Sequence, residues 1–287
     1  MKKIALLFAL CVCIFAGCRK DPKPPKDITD RDRTVVVFFS TKSATSSILK
    51  ATSDEDKISK IILFGVDDLN NVVETYAPIN NPPLTGTKLT ISPKVKMLYA
   101  IANPSDGLEA ATPSTVSGLM NLIGDFTDAP QSPFLMSGNA SASGYNVNIE
   151  LIRAVAKISI TGTNDFRVET VTVTNTPNQG YVFRRAPFSI PASHAKVGYP
   201  AIASTDPILY VAENTGNSPT QFTVTGTFQG SPASYTIVLE SGVQKNDIVR
   251  NTWYRVGITP ITESECDITI TVPEWNDVII NEFVTPE

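Results

Sequence analysis

The sequence predicts an all-β protein with one short helix, built as two β-sandwich domains. Three observations predict it. Apolar and Thr residues alternate through strand after strand of the second half. The phase of that alternation reverses once, at Leu151-Ile152. Finally, 21 Pro and 16 Gly are spread as turn residues through a chain whose side chains are 42% apolar, enough for a large core.

In the first half, β-branched and aromatic runs recur between turn residues at Thr34 to Ser40, Lys57 to Val66, Val72 to Ile79, Lys88 to Ser92 and Lys96 to Asn103. One helix is expected after them. Thr112 is placed to cap it, Pro113 suits its first turn, and Val116, Leu119, Met120 and Ile123 fall on one face. Asp125 to Pro133 then breaks the helix, and Phe134 to Gly138 resumes extended structure. From Tyr145 to Thr163, Val147, Ile149 and Leu151 alternate in one phase, and Ile152, Ala154, Ala156, Ile158 and Ile160 in the other. A strand that changes its buried side carries a bulge or passes between sheets, so the domain boundary is expected close to Ile152, with domains at 34–152 and 153–287.

The second half alternates more regularly. Val171 and Val173 oppose Thr170, Thr172 and Thr174; Phe222, Val224 and Phe228 oppose Thr223, Thr225 and Thr227; Tyr235, Ile237 and Leu239 follow. Ile268, Ile270 and Val272 close the series opposite Thr269 and Thr271, and Cys266 shares their face, which predicts a buried, unreactive thiol. The stretch from Asn175 to Asp206 reads as a long loop. Within it, Tyr181-Val182-Phe183-Arg184-Arg185 has the composition of a contact patch, and packing over a sheet edge is the equal alternative.

Composition narrows the function. Lys plus Arg number 24 against 28 Asp plus Glu, a net charge of −4, which argues against a phosphate-binding surface and hence against nucleic acid. The only His, His194, lies in a Pro-containing polar stretch, and no G-x-S-x-G elbow, phosphate loop or paired CxxC occurs. Asp54-Glu55-Asp56 and Asp67-Asp68 lack EF-hand spacing and read as solvated turns. No catalytic set, metal or cofactor is expected.

The N-terminus reads as an export segment: Met1-Lys2-Lys3 is basic, and Ile4 to Gly17 is charge-free but too short to span the ~30 Å core of a bilayer as a helix. The run ends in Phe15-Ala16-Gly17-Cys18, which resembles the bacterial lipobox, with Phe15 in place of the usual Leu. Ordinary signal-peptidase cleavage nearby is the alternative. Small residues before the Cys and polar Arg19-Lys20-Asp21 beyond it favour a diacylglycerol on Cys18, with residues 1–17 removed and 18–33 left as a Pro-rich tether from the outer membrane.

Several segments together resemble the fimbrillin family of Bacteroidales, the lipoprotein pilins of type V pili with their anchor and tip relatives. They are the motif ending at Cys18, Leu98 to Asn103, Phe134 to Gly138, Leu151 to Ile158, Leu209 to Asn214, Arg250 to Val256 and Val272 to Asn276. The resemblance implies two transthyretin-like β-sandwich domains, surface display, trimming by an arginine-specific protease, and polymerisation with other fimbrial subunits by strand insertion into a neighbour's groove.

In this sequence the processing candidates are Arg31 and Arg33, at the end of the tether, with cleavage after Arg33 favoured. The first strand, with Val35, Val36, Val37, Phe38 and Phe39 in succession, is sticky on both faces, and must be either covered or replaced by another chain's strand. The apolar tail carrying Val278, Ile279, Ile280, Phe283 and Val284 could fill such a groove. No Arg occurs between Thr34 and Ile152, so an arginine protease frees the lipid without cutting the strand away; displacement and retention of that strand both stay open. A lipid-anchored glycan- or protein-binding role, with host molecules as partners, is the rival reading. It requires exposure of Trp253, Trp275, Tyr181 or Phe183.

Overall fold

The computed structural model describes residues 31–41, 54–163, 165–214, 218–239 and 247–272. The export segment, Cys18, most of the tether, Trp275 and the tail from Val278 to Val284 lie outside the described residues. The first half contains β1 (Arg33–Thr41), β2 (Lys60–Val66), β3 (Val72–Thr75), β4 (Ile79–Asn80), β5 (Thr87–Ile91), β6 (Met97–Ala102), α1 (Asp106–Glu109), α2 (Val116–Met120), β7 (Ile123–Asp125), β8 (Met136–Ser141) and β9 (Asn146–Arg153). The second contains β10 (Val155–Gly162), β11 (Phe166–Pro177), β12 (Gln179–Tyr181), β13 (Lys196–Ala203), β14 (Ile208–Ala212), β15 (Gln221–Phe228), β16 (Ser231–Val238), β17 (Trp253–Pro260) and β18 (Cys266–Thr271). The fold is all-β, in sandwiches.

Apart from β7, the strands of the first half form one hydrogen-bonded sheet in the order β3-β2-β6-β8-β9-β1-β5, with β4 beside β2. The sheet turns on itself at β9. Ile152 and Arg153 pair with Ser137 and Met136 of β8, whereas Asn146 to Leu151 run parallel to Val36 to Thr41 of β1. Val35, Val37, Ile91, Val147, Ile149 and Leu151 thereby meet Ile61, Leu63, Leu98, Ala100 and Met136 in one core. The corner needs Gly138, where a Cβ would stand 2.1 Å from the carbonyl oxygen of Glu150.

Strand β1 is an interior strand, antiparallel to β5 on its other side. Its two apolar faces have separate covers. Val35 and Val37 are fully buried and Phe39 packs beside them, while Val36 and Phe38 on the opposite face lie half-buried beneath Gly86. A Cβ at Gly86 would come within 2.6 Å of Val36, and φ there is +90°, so the loop can cross β1 this closely only as glycine.

Unlike the alternating strands of the second half, β2 is buried on both sides. Ile62, Phe64 and Val66 join Ile101, Leu108, Leu119, Val182 and Phe183 in a second cluster beneath the helices. The helix itself differs from expectation. It begins at Val116 and is capped by Thr115, whose Oγ1 accepts the N–H of Gly118 at 3.1 Å; Thr112 and Pro113 lie outside it. The reason is backbone pairing: the N–H of Val72 donates to Ser114 O and that of Val116 to Asn70 O, holding 114–115 extended until the helix can start. Ile123 is drawn into β7, paired with β12, and α1 is a second short helix that the periodicity did not suggest.

In the second half, sheet β14-β10-β17-β18 faces sheet β13-β11-β15-β16. Ile158, Ile160, Val171, Val173, Phe222, Val224, Tyr235, Ile237, Val256 and Ile258 fill the space between, as alternation predicts. β18 departs from expectation. It is an edge strand, so Ile268 is 39% and Val272 54% exposed, and Cys266 is half-buried rather than enclosed, with burial still pushing its thiol pKa up. The stretch 175–206 is also more ordered than a long loop: it carries the end of β11 and all of β12 and β13.

The Gly86→Ala variant is expected to lose about 1–3 kcal/mol of stability through strain at positive φ and collision with Val36. Denaturant unfolding checks this; an unchanged midpoint would show that the loop does not hold β1.

Candidate functional site: the seat of the first strand

The site is the seat of β1 together with the two ends of the strand. At its N-terminal end, Arg31 and Asp32 are exposed and precede the ladder, whereas Arg33 is already paired opposite Ile91. The Arg33 guanidinium reaches the turn between β8 and β9. It donates to Gly144 O at 3.0 Å, to Ser143 O at 3.5 Å and to Ala142 O. One turn thus receives the side chain of Arg33 and, through Tyr145 O, the N–H of Val36 at 2.7 Å.

Beyond β1, the described chain resumes in the short 3-10 turn Asp54–Asp56, which sits against a polar junction between the two halves. Arg153 is fully buried there. It donates through Nε to Glu55 O at 3.2 Å, through Nη1 to Asn251 Oδ1 at 2.9 Å, and through Nη2 to the carboxylate of Asp56. Glu55 takes Lys157 Nζ at 2.8 Å and the hydroxyl of Tyr210. Burial lowers the pKa of Arg153 against the pull of Asp56 and Glu55, and burial followed by the Glu55 carboxylate raises that of Tyr210. Two of the three acidic side chains, Glu55 and Asp56, are therefore engaged by cations of their own chain.

A second buried pair lies within the second half and ties down the 181–182 segment, whose Val182 packs against the first sheet. Arg250 and Glu213 are each 3% exposed, with Nε donating to Oε2 at 2.8 Å, and Arg250 Nη1 also donates to Val182 O at 2.8 Å. This explains the fate of the expected contact patch. Val182 and Phe183 are core residues, Arg185 lies over the Tyr181 ring at 3.4 Å and donates to Met120 O at 2.8 Å, and only Arg184 is exposed. Of the two alternatives for this segment, packing over a sheet is the one realised.

Other candidates are accounted for similarly. Trp253 is 5% exposed and Phe183 3%, and Trp253 Nε1 donates to Ser159 Oγ at 2.9 Å, so neither ring presents a face to a glycan. His194 is half-buried with Nδ1 2.6 Å from Pro191 O. Asp67 accepts from the N–H groups of Leu69 and Asn71 and from Asn71 Nδ2, which hold its carboxyl below the usual range. Among the described residues no group of three or more His, Cys, Asp or Glu is placed to hold a metal ion. Sequence reasoning missed Arg153, Glu213 and Arg250 as junction residues. The available signal was a charged residue inside an apolar run, as in Leu151-Ile152-Arg153-Ala154-Val155.

The sequence matches no family model and no curated protein. Solved structures do share the fold over nearly their whole length. The tip fimbrial protein Mfa3 of Porphyromonas gingivalis superposes with a TM-score of 0.59 at 15% identity, covering 85% of this chain and 100% of that one. A fimbrial assembly protein of Parabacteroides distasonis gives 0.59 at 13% identity, covering 85% and 99%. A fimbrilin of P. gingivalis gives 0.55 at 13%, covering 86% and 99%. The fold is thus that of fimbrial proteins.

Arg153→Met is expected to cost about 3 kcal/mol, because the buried guanidinium that Asp56, Asn251 Oδ1 and Glu55 O accept from is removed. Urea unfolding measures it. The Tyr210 pKa predicts a pH effect too. Above the ordinary tyrosine value of about 10, the unfolded chain loses a proton that the folded chain retains, so stability falls as pH rises. Tyr210→Phe should lessen the slope of that alkaline limb, the other buried tyrosines such as Tyr76 and Tyr199 keeping the rest; an unchanged slope would remove Tyr210 as a contributor.

Proposed function

We propose that this chain is a non-enzymatic structural or adhesive subunit of a fimbria, displayed at the outer-membrane surface on a lipid carried by Cys18. In this reading, arginine-directed cleavage at Arg31 or Arg33 separates the subunit from its anchor. Strand exchange then joins it to other subunits, with Val278, Ile280, Phe283 and Val284 as the donor strand, and the domains divide at Ile152. The observation that carries the reading is a fold shared over 85–86% of this chain with a tip fimbrial protein, a fimbrial assembly protein and a fimbrilin. The burial of Trp253 and Phe183 supports it against the glycan-binding alternative.

Immunogold electron microscopy of cell-surface shear fractions tests the proposal. Gold on filaments, along the shaft or at one end, is expected. Gold confined to membrane fragments, with filaments unlabelled and unaltered in a deletion strain, would overturn it. Labelled fatty acid should enter the wild type and not Cys18→Ala; equal labelling would refute the anchor.

A further inference from the structure

We propose that the first strand is a permanent member of its sandwich: cleavage falls at the Arg31–Asp32 bond, and β1 stays seated, so the chain gives a strand to a neighbour without taking one into its N-terminal half. This rests on the fimbrial reading and resolves the choice that the sequence leaves open between displacement and retention.

Three observations carry it. First, a protease must hold several residues in extended form, away from their neighbours. The Arg33–Thr34 bond lies inside a ladder, with Arg33 opposite Ile91 and Thr34 opposite Thr90. The guanidinium that an arginine-specific pocket must capture is held by the carbonyls of Ala142, Ser143 and Gly144. Arg31 and Asp32 are exposed and outside the ladder. The geometry thus selects Arg31 over Arg33, reversing the preference drawn from tether position alone.

Second, the next arginine after Arg33 is Arg153, which is fully buried, so no arginine cut can sever β1 from the rest of the domain. Third, the chain is pinned again soon after β1, where Asp56 pairs with Arg153 and Glu55 with Lys157. A displaced β1 would remain tied to its own seat through residues 42–53. Short linkers give effective concentrations on the order of millimolar, so the tethered strand competes strongly against any donor arriving from solution. Both faces of β1 are also covered, by the core and by the Gly86 loop, so a donor must displace it from two neighbours and two layers at once.

The test uses the full-length chain extracted in detergent and digested with an arginine-specific endoprotease. Intact mass and N-terminal sequencing should find Asp32 as the new N-terminus, at least ten-fold ahead of Thr34, and Arg31→Ala should abolish that product. The cleaved protein is then incubated with a large excess of a synthetic peptide spanning residues 276–287. Amides of residues 34–41 should keep their hydrogen-exchange protection. A Thr34 N-terminus at comparable rate, or loss of that protection when the peptide is added, would overturn the proposal. Loss of protection would at the same time favour strand exchange, whereas unlabelled filaments in the shear fraction would overturn the fimbrial reading and leave the seating of β1 standing.

Discussion

The parallel ladder between β1 and β9 is the interaction on which the rest of the structure depends. β9 has three tasks along eight residues: it holds the first strand, turns the sheet back through β8, and passes the chain to β10. Each task needs the same alternation of Val147, Ile149 and Leu151 into the core. The second half uses a related arrangement, with β10 parallel to β17 on one side and antiparallel to β14 on the other. In both halves the opening strand is bracketed by strands that follow much later. Neither sandwich is complete until a long loop of chain has closed, at the entropic cost that long-range pairing carries.

Charge at the junction complements that apolar scheme. Arg153 and Arg250 are almost wholly buried, each with a carboxylate and with carbonyl or amide oxygens taking its remaining donors. Buried pairs of this kind add little net stability, but breaking one leaves an uncompensated charge, so they penalise alternative packings of the segments they join. The first pair fixes the turn at Asp54–Asp56, which buries no residue of its own, and the second adds polar anchorage to the 181–183 stretch, whose Val182 and Phe183 are already held by apolar packing.

How far the structure was legible in the sequence follows from the same physics. β15 and β16 could be read directly, because one face meets a core and the other meets water. β2 could not be read in this way, since helices and the 182–183 segment bury its second face and erase the alternation. Alternation also identified the inward side of β18 without revealing that nothing among the described residues fully covers it; whether an edge is covered is a property of the assembled sheets. The start of α2 was hidden for a related reason: pairing of Ser114 and Val116 with the β2–β3 turn overrides the local capping signal at Thr112. As for the site, the stickiness of β1 and the exposure of Arg31 were visible, but the engagement of Arg33 by a turn over 100 residues away was not.

The central claim is that β1 and β9 remain partners in the mature protein. Phe38 and Asn148 lie opposite each other in the parallel register, so Phe38→Cys with Asn148→Cys places a thiol pair across it. The direct measurement is the fraction of this pair that forms a disulfide in chains recovered from the cell surface, compared with the unprocessed precursor. The account predicts equal cross-linking in both. Cross-linking in the precursor that is lost in the surface-assembled chains would contradict it.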